Sequence, residues 1–158
     1  MQNFVPKILQ LGPSDVSHFE AMMTLFGEAF DEVTTYCSKR PSRAYIKDLL
    51  ASNHFIAIAA LEREKVIGGL AAYELKKFEQ ERSEIYIYDL AVAMPYRRQG
   101  IATAMIQDLR RIGLTRGAYV LFVQADYQDP PAIALYEKLG TREEVLHFDI
   151  ALQPFLAE

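Results

Sequence analysis

The stretch SEIYIYDLAVAMPYRRQGIATAMIQDLRRIG, residues 83–113, restricts the fold more than any other part of the chain. Its first ten residues are dense in β-branched and aromatic side chains and read as a strand. Ile101, Met105, Leu109 and Ile112 then recur at the spacing of one helix face. Only a short turn ending Arg97, Arg98, Gln99, Gly100 separates the two. A strand that turns so tightly into an amphipathic helix must lay that helix back on its own sheet, as a parallel crossover does.

The same turn has a binding chemistry of its own. The first N–H groups of a helix point outward without partners, and the helix dipole favours an anion there. Gly100 lets the backbone approach a ligand closely, Ala102 keeps the first helical turn free of bulk, and Arg97 and Arg98 add cationic donors at the rim. A pyrophosphate suits such a bend. The turn is not a P-loop, because no Gly-Lys-Ser/Thr follows, and it holds one glycine of the dinucleotide pattern G-x-G-x-x-G.

The rest of the chain completes a mixed sheet. VPKILQL before Gly12 and Pro13 reads as a first strand. Ser14 or Ser17 is placed to cap a helix carrying Val16, Phe19, Met23, Phe26 and Phe30 on one face. A second helix is expected after Pro41, with Tyr45, Leu49 and Leu50 inward. Residues 54–61 and 66–75 form a hairpin about the polar residues 62–65. Residues 119–125 give another strand, and Pro130 and Pro131 open a helix whose face is Ala132, Leu135, Tyr136 and Leu139, ended by Gly140. Residues 143–150 return as a last strand. The expected fold is α/β, with a mixed central sheet of about six to seven strands and about four helices.

The chain has 158 residues, 51% of them hydrophobic, which predicts one domain spanning residues 1–158. Its formal charge of −4 argues against a general nucleic-acid binder. Cys37 is the one cysteine, so no intramolecular disulfide forms and a reducing compartment fits. The longest unbroken apolar run, residues 55–61, is far below the roughly 18 needed to span a membrane. The N-terminus lacks the build of a signal peptide, so a cytoplasmic location is expected. Charge is uneven. Arg97, Arg98, Arg110, Arg111 and Arg116 against Asp108 give residues 97–116 a net +4, whereas residues 126–158 carry a net −5. His18, His54 and His147 have no Cys or carboxylate at metal spacing, so no metal is expected. Cys37 has no sequence-adjacent base and the tyrosines of IYIYD read first as strand and core residues.

Placed between a strand ending LAV and an amphipathic helix, Arg97-x-x-Gly100-x-Ala102 resembles the Q/R-x-x-G-x-G/A signature of the GCN5-related N-acetyltransferases. DPPAIALYEKLG, residues 129–140, resembles the same superfamily's N-x-x-A-x-x-L-Y-x-K-x-G segment. A narrower match also appears. KFEQ and RSEIYIYDLAV (Glu81 intervening), RRQGIATAMI, GAYV, VQADY, DPPAIALYEKLG and REEVLHFDI resemble the type I aminoglycoside 3-N-acetyltransferases, and LFGEAFDE extends the match toward the N-terminus.

The resemblance implies an acetyl-CoA-dependent enzyme acting on 2-deoxystreptamine antibiotics of the gentamicin type, and a homodimer. It places the pyrophosphate of acetyl-CoA on the amides of Arg97, Arg98, Gln99, Gly100, Ile101, Ala102 and Thr103, and pantetheine along Leu90, Ala91 and Val92. Tyr136 becomes the acid that protonates the departing sulfur. Asp129 stands where asparagine is usual; it still accepts hydrogen bonds and caps a helix, but it donates no amide proton. Asp89 is the implied base. By residue chemistry alone, an aspartate inside an apolar strand must be paired, either with a substrate ammonium or with a backbone group or arginine. Backbone N–H groups near Ala91 and Val92 are candidates for stabilising the oxyanion. A polyamine acceptor needs acidic contacts, for which Asp31, Glu32, Asp126, Glu144 and Asp149 are the candidates. Two other functions fit the same residues: a same-fold transferase for another polyamine or a peptide amine, and an acyl-CoA-binding sensor without turnover.

Overall fold

The computed structural model describes residues 4–153. Its elements are β1 (Lys7–Gln10), α1 (Val16–Ala29), α2 (Val33–Cys37), α3 (Arg43–Ala51), β2 (Phe55–Glu62), β3 (Lys65–Lys76), β4 (Ser83–Val92), α4 (Ile101–Arg116), β5 (Ala118–Val123) and α5 (Pro130–Leu139). They fall into two compact units, Met1–Gln124 and Ala125–Glu158.

The first unit holds one sheet in the order β1-β2-β3-β4-β5. The first three pairings are antiparallel, and β4 pairs with β5 in parallel across α4. β2 is buried along all but its last residue because helices cover both sides of it. Two neighbouring glycines of β3 show which helices these are. A Cβ on Gly69 would run into Met22 of α1, and one on Gly68 would come within 3.2 Å of Met105 and 3.3 Å of Ile101 on α4. Phe55, Ala57, Ala59 and Leu61 therefore pack with Phe19, Met22, Phe26 and Ile46 on the α1/α3 side. Ile56, Ile58, Leu70 and Ala72 alternate to the α4 side, where Met105 and Leu109 are fully buried.

Local signals explain the helix ends. Ser42 caps α3 by accepting the Tyr45 N–H at 3.1 Å, and Asp129 caps α5 by accepting the Ala132 N–H at 3.3 Å. Gly117 ends α4 with φ 81°, a left-handed conformation that favours glycine. At α1 neither Ser14 nor Ser17 is the cap. Asp15 precedes the helix, and its carboxylate instead takes the Gly12 N–H at 2.8 Å, fastening the turn that leaves β1.

Three expectations are corrected. Tyr45 points out at 61% exposure and Ile46 is the inward residue of that turn, one helical turn before Leu50, which is buried as expected with Leu49 packed partly against the core. A short helix, α2, lies where none was expected. Among the described residues the sheet has five strands rather than six to seven: residues 143–150 carry no regular structure, and Val145, Leu146, Phe148 and Ile150 are exposed. Alternation makes a segment fit to be a strand, but only a hydrogen-bonded neighbour makes it one.

Candidate active site

β4 has unequal partners on its two sides. β3 accompanies it from Ser83 to Val92, but β5 pairs only as far as Ile87 with Val123. Beyond that point, residues 88–92 face an open edge. The Ala93 N–H bonds to the Ile67 carbonyl at 2.8 Å, so strand alternation turns Ala91 toward β3 and leaves the peptide groups of Leu90 and Val92 on the open side. Of the two amides expected to be free near Ala91 and Val92, the structure thus frees that of Val92 and adds that of Leu90. The Val92 carbonyl is taken by Arg97 Nε at 2.9 Å.

That contact leads into the turn. After a single 3-10 turn over Met94–Tyr96, Arg98 (φ 60°) and Gly100 (φ 79°) both adopt left-handed conformations. No side chain caps α4, and its first internal bond runs from the Ala104 N–H to the Gly100 carbonyl at 3.0 Å. The N–H groups of Ile101, Ala102 and Thr103 are therefore left for an acceptor outside the helix. Nothing lies within 4 Å of where a Gly100 Cβ would be, so glycine is needed there for its φ and the space above it is open. Tyr96 holds the bend from below, its hydroxyl donating to Glu62 and its ring lying 5.9 Å from Lys65 Nζ. An unfilled set of N–H donors at the start of a sixteen-residue helix, beside open space, fits a diphosphate. Arg98 and Gln99 sit at the exposed rim, whereas Arg97 spends its Nε on bracing β4.

Asp89 lies on the α1 side of the sheet. The register slips between Ala71, opposite Asp89, and Ala72, opposite Ile87, so Tyr88 is the extra residue of a β-bulge. The bulge brings Tyr88 and Asp89 to the same face as Tyr73 and Tyr86. Asp89 is half-buried, and Tyr36 Oη of α2 donates to its Oδ2 at 2.9 Å. Burial pushes the Asp89 carboxyl above the usual carboxylate range and the charge of Glu32 adds to this, while the Tyr36 hydrogen bond opposes it. The Tyr36 phenol is itself pushed well above its ordinary value, first by burial and then by the Asp89 carboxylate. Tyr73, Tyr86 and Tyr88 line an open groove of about 480 Å³ with His54 and Glu74. Tyr88 is 61% exposed and Tyr86 stacks on Phe122 at 4.7 Å, so these tyrosines of IYIYD form a surface rather than a core. Sequence reasoning passed over Tyr36 entirely. Its partner is 53 residues away, and the nearest local hint is Gly27, which lets α2 close on α1.

The proposed acidic contacts divide. Glu32 precedes α2 and acts on Asp89 through its charge. Asp31, with φ 53°, turns the chain between α1 and α2 and is exposed. In the second unit Asp126 lies beyond the end of β5, in a turn whose Gln128 N–H it accepts at 3.3 Å. Glu144 takes the Tyr127 hydroxyl at 3.0 Å and Arg142 at 2.8 Å, and Asp149 sits 2.9 Å from His147. Glu144 and Asp149 are exposed in irregular chain, not on the strand expected for them. Tyr136 of α5 is half-buried, and burial with the Asp129 charge pushes its phenol up to about 12. It is a neutral donor at any working pH. Among the described residues no group of three His, Cys, Asp or Glu is arranged to hold a metal, and no helix is long and apolar enough to cross a membrane.

A parallel pair that parts beside an uncapped helix start, with residues 19–141 matched by the acetyltransferase (GNAT) family model, decides the family. The chain is a GNAT acetyltransferase. Its sheet, one mixed layer flanked by helices, is that family's α/β fold, and acetyl-CoA is the family's acyl donor. Among solved structures, the aminoglycoside acetyltransferase HMB0005 from an uncultured soil metagenomic sample is 60% identical with a TM-score of 0.93, over 95% of this chain and 100% of that one. The aminoglycoside acetyltransferase meta-AAC0020, from an uncultured soil metagenomic sample and in complex with sisomicin, is 31% identical with a TM-score of 0.86, over 94% of this chain and 97% of that one. The aminoglycoside N-acetyltransferase AAC(6')-Iy in complex with CoA shares the GNAT fold at 15% identity, with a TM-score of 0.75 over 94% and 96% of the two chains. No curated protein matches the chain.

Proposed function

We propose that this GNAT enzyme transfers the acetyl group of acetyl-CoA to an aminoglycoside of the 2-deoxystreptamine class, at the 3-amino group as in gentamicin, and so gives antibiotic resistance. The observation that carries the reading is Asp89: a half-buried carboxylate at a β-bulge, within the stretch of β4 that β5 leaves unpaired and just ahead in sequence of the turn into α4. The 60% identity to one aminoglycoside acetyltransferase supports the substrate class, and the type I resemblance of residues 77–150 supports the 3-position. A carboxylate pair, Glu32 and Asp89, beside the hydroxyls and ring faces of Tyr73, Tyr86 and Tyr88 suits a polycationic sugar.

Acetyl-CoA supplies an acyl carbon activated as a thioester. The amides of Gln99, Gly100, Ile101, Ala102 and Thr103, with the Arg98 side chain and the guanidinium N–H groups that Arg97 does not spend on Val92, hold its diphosphate; Leu90, Ala91 and Val92 align the arm. Asp89 takes one proton from the substrate ammonium, which frees the nitrogen lone pair that then attacks the acyl carbon. The open-side amides of Leu90 and Val92 stabilise the negative charge on the carbonyl oxygen. As the C–S bond breaks, the leaving sulfur receives the Tyr136 phenolic proton, the acylated nitrogen loses its second proton to solvent, and solvent returns a proton to the phenolate. The Tyr136 role follows from the resemblance and from a phenol that stays protonated. Asp129 caps α5 and so sets the helix carrying Tyr136. Asp31, Asp126, Glu144 and Asp149 are secondary contacts for the remaining ammonium groups.

The family match crosses the division between the two units, which supports one acetyltransferase domain over residues 1–158. The resemblance and the exposed Val145, Phe148 and Ile150 support a homodimer, and the single cysteine, Cys37, suits a reducing cytoplasm. The decisive experiment measures thiol release on a panel of amines and maps the acetylated nitrogen of gentamicin by NMR. Acetylation at the 3-amino group is expected. Acetylation elsewhere on the drug overturns the regiochemistry, turnover of other amines alone overturns the substrate class, and tight CoA binding without turnover makes the protein a sensor.

A further inference from the structure

α2 is a five-residue helix that presents one functional side chain. Its placement over Asp89 is built from several sides. The Tyr36 ring packs against both Phe26, at 6.0 Å, and Phe30, at 5.9 Å, whose rings stack on each other at 5.7 Å. At Gly27 a Cβ would come within 3.3 Å of Tyr36 Cβ and 3.2 Å of Val33 Cα, so the glycine sets how near α2 lies to α1. The chain between them turns through Asp31 in a left-handed conformation, and the Glu32 N–H is tied to the Gly27 carbonyl at 2.8 Å. So much fastening for a one-turn helix ends on one contact, Tyr36 Oη to Asp89 Oδ2.

We infer that Tyr36 is a positioning residue for the base: its phenol fixes the Asp89 carboxylate by Oδ2 and leaves Oδ1 as the oxygen that faces the substrate amine. A carboxylate free to rotate would offer either oxygen in many orientations, whereas one held by a charge-assisted hydrogen bond presents a single lone-pair direction. The same bond stabilises the ionised carboxylate against the burial that disfavours it. The ionisable groups facing Asp89 are Tyr36 from α2, Glu32 just before it, Tyr73 from β3, and Tyr86 and Tyr88 from β4, and Tyr36 is the one that donates to it.

This inference rests on the proposed base role of Asp89. Its test is Tyr36→Phe, which keeps the ring against Phe26 and Phe30 and removes the hydroxyl alone. The acidic limb of the kcat/KM profile for gentamicin is expected to move to higher pH, with kcat/KM several-fold lower on the acidic side and KM for acetyl-CoA unchanged. Carbon-13 NMR titration of the Asp89 carboxyl in the same full-length variant is expected to move in the same direction, and it needs no turnover. A limb and a carboxyl titration both at their wild-type positions would overturn the inference. Failure of the underlying reading looks different: Asp89→Asn would then turn over gentamicin as fast as the wild type.

Discussion

Gly100 and Gly117 stand at the two ends of α4 with φ of 79° and 81°, and no atom lies within 4 Å of a Cβ built on either. They form a matched pair. An alanine at either position meets no clash, so its cost is the left-handed backbone alone, about 1–2 kcal/mol. Narrowing of the unfolded chain returns about 0.4–1 kcal/mol, leaving a net near ~1 kcal/mol. For a chain of this size that lowers Tm by roughly 2–4 °C. Both Gly100→Ala and Gly117→Ala are expected to show this drop in thermal melts without ligand. Only Gly100→Ala puts a methyl group where a diphosphate would approach the amides of Ile101, Ala102 and Thr103. Losing one charge-assisted hydrogen bond there costs about 1.5–3 kcal/mol, roughly a 10- to 150-fold rise in Kd for CoA by calorimetry. Gly117→Ala should bind CoA as the wild type does. If both variants lose the same stability and both keep wild-type affinity, the diphosphate does not rest on this bend and the placement of the cofactor is wrong.

Asp89→Asn should lower turnover about 10²- to 10⁴-fold while leaving CoA affinity unchanged. Because burial raises the Asp89 pKa in the folded state, its ionised form costs stability above that folded value, and the cost disappears below the unfolded value. Asp89→Asn should therefore melt higher than the wild type near neutral pH and lose that advantage in acid; equal melting at both ends would argue against the burial. For the same reason, wild-type kcat/KM should fall as pH drops through a carboxyl titration above the usual range. Tyr136→Phe should slow transfer with acceptors for which sulfur departure limits the rate, and a variant as fast as wild type across the amine panel would remove Tyr136 as the acid. Light scattering should give twice the chain mass, and Phe148→Lys should shift it toward one; a wild type of single-chain mass would dismiss the homodimer.

What the amino-acid order determined by itself is local. The strand, turn and helix of residues 83–113 were readable because alternation, a glycine and a helical stripe act within a few residues of one another. The cap at Asp129 was readable for the same reason, as was Asp89, an acid out of place in an apolar strand; the cap at Ser42 was not read. What only the tertiary structure decided depends on neighbours distant in sequence. The bulge at Tyr88 exists because β3 and β4 slip against each other, and that slip is what carries Tyr88 and Asp89 to one face. The open edge after Ile87 exists because β5 stops pairing there. Tyr36 meets Asp89 through a helix whose formation depends on α1 packing, and no short-range pattern encodes it. Residues 143–150 show the converse: an alternating segment remains irregular, because backbone hydrogen bonds in a sheet require a second strand and no periodicity within a segment supplies one.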